Sequence, residues 1–136
     1  MGFTIVIDMK KSVNTIMQNS SGKYLVQMRD GSEGICNPLK WNFFGGGLTE
    51  DEDPIVGAVR ETKEELNIYA GSEYFNLVGE LRPKDDRAVY VVHYNKPVEW
   101  SDITVQEGAG AGYFTKDELF RIAITDATKM LIEKYL

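Results

Sequence analysis

Asp53-Pro54 and Asn67 bracket a stretch that can hardly be anything but a helix, and three glycines precede it closely. Asp is a favoured N-cap, because its carboxylate accepts from the unpaired first amides of a helix. Pro54 then takes the first helical position, where its missing N–H costs nothing. Asn67 tolerates left-handed backbone second only to glycine, so it marks a stop. The expected helix runs from Pro54 to Leu66. Acidic residues crowd just ahead of it, as the helix dipole favours. Upstream, Gly45, Gly46 and Gly47 permit backbone angles closed to other residues, and a close approach by a ligand.

At about 100° per residue, Ile55, Val59, Thr62 and Leu66 form one stripe, expected to pack on a sheet. Glu61, Glu64 and Glu65 share an arc of roughly 100° off that stripe, with Arg60 beside Glu64. Carboxylates that close repel one another. A shared face of them suits Mg²⁺ or Mn²⁺, hard cations that take oxygen ligands. The plainer alternative is a solvated acidic face with Arg60 and Lys63 as ion-pair partners. The glycines and Glu52, at fixed offsets from the helix, tip the balance toward a metal site.

From Gly46 to Ile68 the chain reads GGLTEDEDPIVGAVRETKEELNI. Glu52 follows Gly46 after five residues, and Arg60-Glu61 follow after seven more. This resembles the Nudix box, G-x5-E-x7-R-E-U-x-E-E-x-G-U with U bulky and aliphatic. Looser likeness extends along the chain. Lys23 to Arg29 resembles the strand before the box and Trp41 to Phe44 the short strand entering it. Gln106 to Phe114 and the following Thr115 to Leu119 resemble the closing strand and helix. The resemblance implies an α/β fold, a Nudix-type α/β/α sandwich with a mixed sheet between helices, in a single domain over residues 1–136. It implies hydrolysis of a nucleoside diphosphate linked to a further moiety, with Mg²⁺ or Mn²⁺ as cofactor. By position, Glu61, Glu64 and Glu65 are the metal ligands, one of them or Glu107 serving as base. The Gly45 carbonyl is a further ligand candidate. Glu52 supports the metal cluster, and Arg60 orients Glu61 or Glu64. Three positions depart from the pattern. Asn67 stands for the terminal glycine, Thr62 for an aliphatic residue, and Phe44 for the proline before the glycine pair. None removes a ligand.

Candidate substrate contacts are Arg29 and Lys40 for phosphates, Gly46 and Gly47 for close approach, and Phe44, Trp100 or Tyr113 for stacking on a base. His93, the only histidine, sits in an alternating run and reads as a strand-face residue. The glycine run is no Walker loop, since no Lys-Ser/Thr follows. Pro83 lies where ADP-ribose hydrolases of the family place a proline, but a turn residue explains it equally. A nucleoside triphosphate pyrophosphohydrolase, including one that removes oxidised nucleotides, is the leading expectation. An ADP-ribose or nucleotide-sugar pyrophosphatase comes second. A non-catalytic nucleotide-binding regulator of the same fold is disfavoured by the intact carboxylates, and an isopentenyl diphosphate isomerase by the absence of a catalytic-cysteine signature.

The remaining strands are expected at Thr4 to Asp8, Val13 to Gln18, Lys23 to Arg29, Phe75 to Leu81, Ala88 to Tyr94 and Gly112 to Phe114. Val13 to Gln18 and Lys23 to Arg29 are expected to pair as a hairpin across Asn19-Ser-Ser-Gly22. Asp30 to Leu39 reads as a substrate-side loop. Helices are expected at Lys116 to Phe120 and Asp126 to Leu136. With 136 residues, the chain is long enough for a real core. A net charge of −6 disfavours a nucleic-acid polymer as partner. It admits a small-molecule nucleotide arriving as a metal chelate. The lone Cys36 suits a reducing cytoplasm, and no apolar run is long enough for a membrane span. A homodimer stays open.

Overall fold

The computed structural model describes residues 9–29, 39–106 and 110–136. Six strands and three α-helices follow in chain order: β1 Lys10–Ile16, β2 Tyr24–Met28, β3 Trp41–Gly47, α1 Pro54–Leu66, β4 Phe75–Lys84, β5 Arg87–Tyr94, β6 Gly110–Phe114, α2 Lys116–Leu119 and α3 Asp126–Tyr135. The strands form one mixed sheet in the order β4-β5-β1-β3-β2-β6. Only β1 and β5 run parallel; the other neighbours are antiparallel. The expected strand at Thr4 to Asp8, most of the Asp30 to Leu39 loop, Cys36 and Glu107 lie outside the described residues. No helix among the described residues is long and apolar enough to cross a membrane.

Phe43 and Phe44 show how the layers are held. Adjacent residues of a strand point to opposite faces. Phe44 is buried with Val13, Leu25, Ala58, Leu66 and Val92 on the α1 side. Phe43 is buried with Ile16, Val26, Val89, Leu131 and Ile132 on the α3 side. Full burial of such a ring stabilises by about 1.5–3 kcal/mol, so β3 pins both cores. Trp41 packs on the same side as Phe43, as the alternation predicts.

Helix α1 begins and ends where its caps predict. The Asp53 carboxylate accepts from the amides of Ile55 at 2.8 Å and Val56 at 3.4 Å. Asn67 is left-handed, φ 59° and ψ 32°, and its amide closes back on the Lys63 and Thr62 carbonyls. The buried stripe differs from expectation. Thr62 and Leu66 are buried, but Ala58 and Glu65 join them, while Ile55 and Val59 are only partly covered. The helix is therefore rolled so that Glu65 faces the sheet rather than solvent. Thr62 fits because its hydroxyl donates to the Ala58 carbonyl at 2.6 Å.

The expected hairpin is corrected. Its turn forms, with Gly22 at φ 79° and the Asn19 side chain accepting from the amides of Ser21 and Lys23. Beyond a bridge between Gln18 and Tyr24 the two strands part, and β3 enters between them. Trp41 to Phe43 pair with β2, while Phe44 to Gly47 pair with β1. At this junction a Cβ on Gly45 would collide with the Val13 carbonyl, so only glycine fits. The glycine run is thus a crossing point in the sheet before it is a loop.

Candidate active site

A cleft of about 1010 Å³ opens where α1, the glycine end of β3 and the start of β1 meet. Glu61, Glu64 and Glu65 of α1 line it, together with Gln27 of β2, Arg29 just beyond that strand, Asn42 from β3 and the three glycines. Lys10 and Lys11 of β1, Lys84 of β4 and Arg87 of β5 line it too. The helix that the caps define therefore delivers all three sequence-selected glutamates to one cavity.

Arg60 organises the acidic residues. Its Nε donates to Glu52 Oε2 and its Nη2 to Glu52 Oε1, both at 2.9 Å. Its Nη1 donates to Glu61 Oε1 at 2.9 Å and to Glu64 Oε2 at 3.3 Å. A further bond from Nη2 to the Gly47 carbonyl, 3.0 Å, ties the glycine loop to the helix. The forked hydrogen bond from Arg60, with help from the Thr49 amide, holds the Glu52 carboxyl down to about 2. Glu52 in turn raises Arg60 above its ordinary value. Both are charged across any working pH.

Each glutamate has its own setting. Glu61 lies flat on Gly46, where a Cβ would come 2.6 Å from its Oε1. The bare face of Gly46 thus makes room for a carboxylate, whereas Gly47 is open to the cleft. Glu64 is half exposed. Glu65 is 2% exposed, and its Oε2 accepts from Gln27 Nε2 at 3.2 Å. The main chain of Glu65 also accepts from the Gln106 amide at 2.8 Å, and Leu66 from the Thr104 amide at 3.0 Å. These bonds strap the segment ahead of β6 across the end of α1. Gln106 lines the cleft, and the next residue is Glu107.

All-oxygen donors on one wall fit a hard divalent cation. Among the described residues, no three converge as a ready-made cage. The reason is visible: Glu61 and Glu64 each give an oxygen to Arg60, while Glu65 turns toward Gln27.

The other candidates scatter. Arg29 lines the cleft, and its Nε is buried without a partner among the described residues. Lys40 lies beside it, its carbonyl accepting from the Arg29 amide at 2.9 Å, but it does not line the cleft. Phe44 is corrected: at 1% exposure it is core and offers no ring to a base. Trp100 and Tyr113 meet edge to face at 6.1 Å away from the cleft lining. The Tyr113 hydroxyl donates to the Val98 carbonyl at 2.6 Å, and burial pushes it up to about 12, with Glu99 and Asp102 adding to the rise. His93 pairs with Asn95 on β5, outside the cleft. Sequence reasoning missed Gln27, Asn42 and the cations of β1, β4 and β5. A signal existed for Gln27, a polar residue in phase with buried Leu25.

Residues 8–132 match the model of the NUDIX domain, and the chain belongs to the Nudix family. It is a Nudix hydrolase, acting on phosphorus-containing anhydrides. The family generally uses a divalent metal. The fold is similar to the MutT protein of Methanosarcina mazei Go1, with TM-score 0.74 and 20% identity over 96% of this chain and 95% of that one. It is similar to the ORF135 protein of E. coli, with TM-score 0.71 and 23% identity over 95% and 89%. The E. coli dihydroneopterin triphosphate pyrophosphohydrolase gives 0.65 and 16% over 92% and 93%. At these identities the likeness is one of fold. No curated protein matches the chain in sequence.

Proposed function

We propose that the chain is a divalent-metal-dependent hydrolase of nucleoside diphosphate derivatives, and that it cuts a nucleoside triphosphate to monophosphate and pyrophosphate. The observation that carries this is the cleft: three glutamates on one helix and five basic side chains line the same cavity. A carboxylate wall alone repels a polyphosphate, and a basic wall alone has no means to activate water. Among the similar folds, one is named for cleaving the triphosphate of dihydroneopterin, which agrees with this choice.

Glu61, Glu64 and Glu65 would hold Mg²⁺ or Mn²⁺, which when bound polarises phosphoryl oxygens and lowers the pKa of a coordinated water. The protein's own groups do the rest. Glu52 locks Arg60, and Arg60 holds Glu61 against Gly46. Gln27 fixes the Oε2 side of Glu65. Arg29, which lines the cleft, would bind a phosphate oxygen. Glu107, directly after the strapped Gln106, takes the proton of the attacking water while the bridging P–O bond breaks. The test is a product-resolved screen of nucleoside triphosphates, ADP-ribose and nucleotide sugars with Mg²⁺ and Mn²⁺. Monophosphate and pyrophosphate in equal amounts are expected from a triphosphate. Release of orthophosphate alone, or no product from any member, would overturn the reading.

A further inference from the structure

Lys84, Arg87 and Lys10 occupy adjacent register positions on three neighbouring strands. Lys84 stands opposite Arg87, and Arg87 stands beside Lys10. The Lys10 amide donates to the Asp86 carbonyl at 2.8 Å, which fixes the turn against β1. Like charges directly across strands destabilise a sheet, so folding alone does not favour this row. Among the described residues no ion pair holds it, although Asp86 of the intervening turn also lines the cleft. Arg60, Arg82 and Lys129 all have carboxylate partners, whereas Lys10, Lys11, Lys84 and Arg87 form no ion pair among the described residues. With Arg29, five of the chain's 15 basic residues line one cleft in a protein of net charge −6.

Position separates this row from the glutamates. Glu61 lies over Gly46 of β3, while Arg87 is on β5, two strands further along the sheet. Two strand spacings are about 10 Å, and Arg87 lies three residues, roughly another 10 Å, along β5 from Tyr90, which is level with Gly46 through Val13. A phosphate beyond the diphosphate narrows that gap to one that long lysine and arginine side chains bridge. We propose that the substrate carries phosphate beyond the scissile diphosphate, and that Lys84, Arg87 and Lys10 bind it. The guanidinium of half-buried Arg87 supplies a planar fork suited to phosphate oxygens, and the two lysines supply point charges. This rests on the hydrolase reading for where the scissile bond lies. It separates a polyphosphate substrate from a nucleotide sugar, whose far end is neutral.

The test is direct binding in Mg²⁺, measured by calorimetry on the full chain. The probes are α,β-methylene-ADP, α,β-methylene-ATP and 5-phosphoribosyl diphosphate. The double variant Lys84→Ala/Arg87→Ala should weaken α,β-methylene-ATP about tenfold or more, as loss of charge-assisted hydrogen bonds predicts, and α,β-methylene-ADP less than about twofold. If the loss falls on 5-phosphoribosyl diphosphate instead, the recognised phosphate is a sugar's and the inference stands with that substrate class. Equal weakening of all three probes, or none, overturns it. The melting temperature should hold or rise, because mutual repulsion is relieved. Lys10→Gln gives the same comparison if the double variant fails to fold. Selective binding without turnover of any nucleotide would retain this inference and overturn the hydrolase reading; turnover without selectivity would do the reverse.

Discussion

Arg60 grips Glu52 through two parallel hydrogen bonds of 2.9 Å, one from Nε and one from Nη2. The loop that carries Glu52 is thereby tied to α1 by a side chain as well as by its backbone. The same guanidinium reaches Glu61 and Glu64, so loop, helix and two candidate ligands share one side chain.

That sharing makes Arg60 and Glu52 a single unit in kinetics. A lysine keeps the charge but not the fork. Arg60→Lys and Glu52→Gln are each expected to lower kcat/KM about tenfold or more, the scale for a misplaced catalytic group. Combined, they should cost little more than either alone, because contacting residues are not additive. A double-mutant cycle on kcat/KM checks this. Fully additive losses would separate the two residues.

Glu64 and Glu65 should divide by burial. Glu64→Gln and Glu65→Gln are each expected to cut turnover about a hundredfold, since an amide keeps the shape but loses the charge that holds a cation. Thermal unfolding should leave Glu64→Gln at the wild-type midpoint, because that side chain is half exposed. Glu65→Gln should shift it, because that carboxylate is buried against Gln27. Near-native turnover of both would make the acidic face a solvated surface.

Glu107→Gln is expected to lower turnover about tenfold or more, the lower range for a lost general base. KM should move less, since three glutamates remain for the metal. A kcat–pH profile is the check. A variant with wild-type turnover across pH would send the search for the base back to Glu61.

Tyr113 sets an alkaline limb of stability. Its hydroxyl is pushed from 10.0 up to about 12 by burial, so between those values the unfolded chain releases a proton that the folded chain keeps. Its contribution is whole below pH 10 and is lost as pH rises through about 12. Denaturant unfolding from pH 9 to 12 is expected to show a decline that is shallower in Tyr113→Phe. Parallel curves would remove the assignment.

What was legible in the sequence is what short-range chemistry decides. Asp53, Pro54 and Asn67 fix α1 because capping involves residues only a few positions apart. Phe43 declared its face by alternation. Other features depended on distant parts of the chain. The Asn19 to Gly22 turn gave no sign that β3 would part β1 from β2. Glu65 looked solvated until the sheet supplied Gln27. Phe44, a candidate for stacking on a base, is core because β3 runs on through the glycines and packs it under α1. The basic row unites residues more than seventy positions apart, from Lys10 to Lys84 and Arg87, through a parallel pairing that no local pattern announces.

The most direct measurement is hydrolysis of a nucleoside triphosphate by the wild-type protein with Mg²⁺, with excess EDTA, and with Mg²⁺ restored. Monophosphate and pyrophosphate should form in the first and third conditions and vanish in the second, because an uncompensated glutamate wall repels the substrate and leaves water inactive. Undiminished hydrolysis in excess EDTA would contradict the central claim.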